Sequence, residues 1–185
     1  GEFIQGKMKN WFPDINNHAV WIDPKRFENV ICRGCWPLHP ISTWVFVKLS
    51  SVGKSLQQRS ALSLLAEVYQ EIELHEIVDG KLINPVDLCN ESLINEFLSA
   101  EVYGAQRAHA SEYQEVIQKY QNQFSPDEIK TLKAILLASK TGVKIEDKQN
   151  YLALLCEFTG LPLDSIGSIA NSLELEFGVL EWNEM

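Results

Sequence analysis

At 185 residues the chain is long enough to bury the core of one domain, or of two small packed ones, without disulfide or metal staples. A net charge of -9 and a pI near 4.9 argue against a surface built to hold phosphate backbones. No run of about 18 apolar residues occurs and the first residues lack the basic-then-apolar order of a signal peptide, which excludes a spanning helix and leads us to expect a cytoplasmic protein without membrane contact.

Gly1-Glu2-Phe3 reads as a residue of cloning and is set aside from the fold argument. The remainder of 1–35 is rich in Asn, Asp, Pro and aromatics, with short apolar runs at Ala19-Val20-Trp21-Ile22 and Val30-Ile31. It reads as an irregular segment of loops with one or two short strands or helical turns. Cysteines 32, 35, 89 and 156 are too scattered for a disulfide framework and are expected to be thiols. Cys32-Arg33-Gly34-Cys35 has zinc-like or redox-like spacing, with His39 near enough to be a third ligand. A structural zinc site needs a fourth ligand, however, and no second pair of similar spacing exists, so no metal is assigned.

From Pro40, the residues Ile41, Trp44, Val45, Val47 and Leu49 predict a short helix buried all round. Val52-Gly53-Lys54-Ser55 resembles the end of a phosphate-binding loop, but position 48, where that motif needs glycine, is Lys48. The preceding segment is also helical where a strand is required, and an inter-helix loop is the reading adopted. Leu62, Leu65, Val68, Tyr69 and Ile72 predict an amphipathic helix from about Leu56 to Leu74, ended by a turn at Asp79-Gly80.

Asn84-Pro85 opens a second block. Leu93, Phe97, Ala100, Ala105, Ala108, Val116 and Tyr120 predict one long helix over 90–123, or two with a kink near Gly104. Its carboxylates interleave with Gln and Lys and read as a solvated face. Histidines 18, 75 and 109 stand in no pattern with a nucleophile and an orienting group, so no catalytic residue is assigned.

The third block carries the clearest punctuation. Ser125-Pro126-Asp127-Glu128 is a capping box that must start a helix, with Ile129, Leu132, Ile135 and Leu136 inward and Gly142 beyond its end. A helix from about Asp147 to Phe158 follows, stopped by Gly160 and presenting Tyr151, Leu154, Leu155 and Phe158. Asp164 or Ser165 is expected to cap the next, whose inner face holds Ile166, Ile169, Ala170 and Leu173. Residues 177–182 then read as a strand in need of a partner. The order is that of a winged helix-turn-helix with an incomplete wing, as in a piece of a longer protein. No Lys or Arg occurs from Leu163 to Met185, so duplex DNA binding by this element is not expected.

The segment from Cys35-Trp36-Pro37-Leu38-His39-Pro40 through Gln57-Gln58-Arg59-Ser60-Ala61-Leu62 resembles part of large bacterial P-loop ATPases related to the AAA+ and STAND groups, several of them from phage-defence and restriction systems. In those proteins a Pro-Leu-His-Pro motif starts a helix and a Gln-Asn-Glu-Arg-like motif follows about one helix later. Here Leu56-Gln57-Gln58-Arg59 stands in its place and keeps the arginine. The resemblance implies a lid and winged-helix region that takes part in a site for ATP with magnesium held by the rest of the ATPase, no cofactor being held by these residues alone. It places Pro37, His39 and Pro40 near the nucleotide base and lets Arg59 sense phosphate through a charge-assisted fork. The residues by themselves allow a plainer reading, with the prolines shaping a helix start, His39 serving nearby backbone and Arg59 pairing with Glu67.

The expectation is a mainly α chain: an irregular segment 1–35, a helical lid-like domain 36–123 and a winged-helix-like domain 124–185. It would be non-catalytic by itself and would act on the remainder of an ATPase or on protein partners. The alternatives are a stand-alone interaction module using exposed Trp11, Phe12, Trp36 and Trp182, and a winged-helix DNA-binding regulator.

Overall fold

The computed structural model describes residues 1–51, 58–72, 80–104 and 108–182, with backbone alone at 51 and 58–61. Residues 2–33 are mostly helical, with more helix than the loops and one or two short strands or helical turns expected there. Helix α1 (Glu2–Trp11) buries Gln5, Met8 and Trp11 along one stripe, a spacing of three residues that the surrounding Asn and Gly residues obscure. A 3-10 turn at Pro13–Asn17 leads to the short helices α2 (Ala19–Ile22) and α3 (Pro24–Arg26), the latter capped by the Asp23 carboxylate, and then to a wide π turn at Phe27–Arg33. These pieces are too short to be stable alone and are held by tertiary packing. Trp11 and Phe12 lie in the core, and so are not available to a partner. The Gln5 amide donates to the Trp21 carbonyl at 2.7 Å. After the π turn, a Cβ on Gly34 would stand 2.5 Å from the Val30 carbonyl oxygen, so only glycine fits this close return of the chain.

Helix α4 (Pro40–Ser51) buries Ile41, Ser42, Trp44, Val45 and Leu49. In α5 (Gln58–Glu71) the inward positions are Leu64 and Val68, whereas Leu62, expected inside, is 69% exposed. The stripe is shifted because Leu64 and Val68, four apart, both meet the core, while Leu62 lies off that line. The glycine-lysine segment Val52-Gly53-Lys54-Ser55, with Leu56 and Gln57, lies outside the described residues, as do Leu74, His75, Asp79 and Ala105.

A 3-10 turn at Pro85–Leu88 precedes α6 (Glu91–Val102) and α7 (His109–Lys119), which are separate helices parted after Gly104 at φ 70°. The C-terminal part follows its punctuation closely. Helix α8 (Pro126–Lys140) starts on the expected capping box: Ser125 Oγ accepts from the Glu128 amide at 3.2 Å and the Glu128 carboxylate accepts from the Ser125 amide at 2.8 Å. The Ser172 hydroxyl donates to the second Glu128 oxygen at 2.7 Å, tying this cap to the last helix. Ser125→Ala should cost about 1 kcal/mol, read as a lowered midpoint in denaturant with an unchanged slope.

Helix α9 (Lys148–Thr159) is capped by Asp147 and ended by Gly160 at φ 74°, where the Asn84 amide nitrogen would be 2.7 Å from an added Cβ. Helix α10 (Leu163–Leu175) turns away from α9 by 110°. Its N-cap position is Pro162, without a side-chain cap; Asp164 and Ser165 lie within the first turn. Among the described residues there is no strand. In 177–182 the Val179 amide donates to the Leu173 carbonyl, closing α10, and Trp182 lies across α9, 5.9 Å from Tyr151 with Lys148 over its ring. Phe177 packs against Tyr120 and Phe124, and Trp182 packs against Tyr151.

One hydrophobic core runs from Met8 through Trp44, Leu93 and Leu137 to Ala170. The Lys144 amide donates to the Trp11 carbonyl, so the loop after α8 is bound to α1. Among the described residues no single helix is long and apolar enough to cross a membrane.

Candidate functional site

The Pro37-Leu38-His39-Pro40 segment is held by backbone pairing. Pro37 O accepts from the Ile83 amide and the His39 amide donates to Ile83 O, both at 2.9 Å, making an isolated parallel bridge at Leu38 and Ile83. The buried Ser42 hydroxyl adds a 2.7 Å bond to the same Ile83 carbonyl. Pro37 and Pro40 are buried, and Pro40 occupies the first position of α4, where no amide donor is needed. The plain reading of these prolines thus describes what they do in the fold.

His39 links this segment to two distant helices. Its Nδ1 accepts from the Ile41 amide at 3.2 Å, which leaves Nε2 as the protonated nitrogen, 3.5 Å from Glu157 of α9. The other Glu157 oxygen accepts from Lys7 of α1 at 2.7 Å. The His39 bond is the largest influence on this carboxyl; burial opposes it, Lys7 assists, and the group is held at about 2. Residues 7, 39 and 157 therefore form one polar junction where α1, the start of α4 and α9 meet. Sequence reasoning found His39 and missed its partners. The available signal was Glu157 itself, a lone carboxylate in the apolar run from Leu152 to Phe158.

Of the expected nucleotide-contacting residues, Pro37, His39 and Pro40 lie together. The Arg59 side chain is outside the described residues, so neither phosphate sensing nor its pairing with Glu67 can be placed; Glu67 itself accepts from the Asn90 amide nitrogen at 3.2 Å. Cys32 and Cys35 are free thiols, Cys35 Sγ pointing to the Val30 carbonyl at 3.4 Å. Burial and the Glu28 carboxylate raise the Cys32 thiol, the opposite of what a reactive thiolate needs. Both His39 nitrogens face other partners, and among the described residues no three His, Cys, Asp or Glu side chains gather as a metal site. Trp36 is 54% exposed beside the segment, while Trp182 is half-buried.

Compared with protein-family models, curated protein sequences and solved structures, the chain matches none.

Proposed function

We propose that these residues form the lid and winged-helix-like portion of a P-loop ATPase of the phage-defence type, and that they pass the state of a bound nucleotide to partner or subunit contacts without performing chemistry themselves. The observation that carries this reading is the junction at His39. A nucleotide base resting on the Pro37–Pro40 segment would displace a histidine that is bonded to α9 through Glu157, and to α1 through the same carboxylate. Partly buried charge-assisted contacts of this kind have few alternative geometries, so a shift at one end changes the packing of the others. The resemblance of Pro37-Leu38-His39-Pro40 and Arg59 to the ATPase motifs supplies the ligand class, and the order α8, α9, α10 supports the winged-helix comparison.

ATP and magnesium would be held chiefly by the P-loop core, with Pro37, His39, Pro40 and Arg59 contributing from this side. The purified 185-residue chain should show no ATP turnover above a buffer blank. Sustained hydrolysis by it would overturn the assignment, because a lid completes a site it does not own.

A further inference from the structure

Helix α5, the Pro85–Leu88 turn and the first turns of α8 surround a cavity of about 390 Å³, a size suited to a small organic ligand. Its floor is apolar, formed by Val68, Ile83 and Val86 with the Cys89 thiol beside them. Burial pushes that thiol up to about 12, so the floor stays uncharged at neutral pH. Lys130 and Lys133, one turn apart on α8, stand at the rim, half-buried, with no carboxylate partner among the described residues. In a chain of net charge -9, two neighbouring ammonium groups without a carboxylate partner among the described residues, over an apolar floor, favour an anionic ligand.

We propose that this cavity binds an organic monoanion with an apolar body, which lies on Val68, Ile83 and Val86 while its charged head sits between Lys130 and Lys133. A single charge is favoured over a polyphosphate because Glu71 and Asp87 also line the cavity and would repel further negative charge. Asp87 is committed to its own turn, accepting from the Asn84 amide at 2.8 Å, and Lys81 lies on the far wall. The cavity lies across the Ile83 bridge from His39, and this inference is independent of the lid reading.

The test is fluorescence titration with anilinonaphthalene sulfonate and with its uncharged analogue phenylnaphthylamine, on the whole chain and on K130Q/K133Q. The sulfonate should saturate at one site per chain, and the double variant should bind it about tenfold more weakly or worse, with phenylnaphthylamine unchanged. The single variants K130Q and K133Q should each show part of the loss, which keeps the test readable if the double variant folds less well. Equal sulfonate affinity in wild type and all three variants, or no saturable sulfonate binding at all, would overturn the proposal.

Discussion

Glu101→Gln should lower the unfolding free energy by about 3–5 kcal/mol, because it removes the charge opposite a buried lysine. Lys140 and Glu101 meet at 2.6 Å with side chains only 4% and 3% exposed. The same carboxylate accepts from the Ala110 amide at 2.7 Å and from the Ser111 amide and hydroxyl at 2.9 and 2.8 Å. One buried group thus caps the start of α7, ends α6 and anchors α8. Burial by itself raises this carboxyl, but the Lys140, Ala110 and Ser111 bonds outweigh it and bring the value from the ordinary 4.5 down to about 2. A folded value below the unfolded one means the stabilisation is complete above pH 4.5 and disappears as the pH falls toward 2. It amounts to about 3 kcal/mol. Denaturant midpoints measured between neutral pH and acid should fall steeply in the wild type and more gently in E101Q. An identical acid slope would show that another group governs the loss. Replacing the pair together, as E101L/K140M, should recover part of the stability but not all, since the two amides and the Ser111 hydroxyl then lose their acceptor.

Trp44→Ala should be comparably damaging, at about 3–5 kcal/mol, because it empties the centre of the N-terminal aromatic cluster. Trp44 is fully buried, with Trp21 edge-on at 5.1 Å, His18 at 5.6 Å and Phe12 at 6.2 Å. These three belong to the short helical pieces that have no independent stability, so the cavity would loosen the segments from Phe12 to Phe27 together. The melting temperature should fall by roughly 10 °C. Trp44→Phe should cost much less, since the indole Nε1 has no hydrogen-bond partner among the described residues and its removal breaks no bond. Equal losses for alanine and phenylalanine would mean that the indole Nε1 makes a stabilising polar contact.

The part of the fold that could be read from sequence is the part whose signals are local. The Ser125–Glu128 box, the Asp147 cap and the glycines at 142 and 160 act within a few residues of themselves, and the helices they bound appear within a residue or two of the expected ends. Segment 1–35 was legible only in part, for the complementary reason. Its helices are interrupted by Pro13, Pro24 and Gly34, and Phe12, His18 and Trp21 are held by ring contacts with Trp44, more than twenty residues on. The segment after α10 carries strand-forming residues, yet in this structure its aromatics are taken up by Tyr151 and by the Tyr120–Phe124 pair. Propensity yields there to packing. The candidate site was half legible: the Pro37–Pro40 motif announces itself, but Lys7 and Glu157, 150 residues apart, meet only through the tertiary fold. Glu101 and Lys140 are hidden in the same way, 39 residues apart.

The proposal that His39 transmits nucleotide state to α9 is tested most directly by a double-mutant cycle on ATP turnover in the ATPase of which that proposal makes this sequence a part. H39A and E157Q should each slow turnover several-fold, and the double variant should be no slower than the worse of the two, because both changes cut the same contact. Unchanged turnover in both single variants, or losses that simply add, would contradict the account.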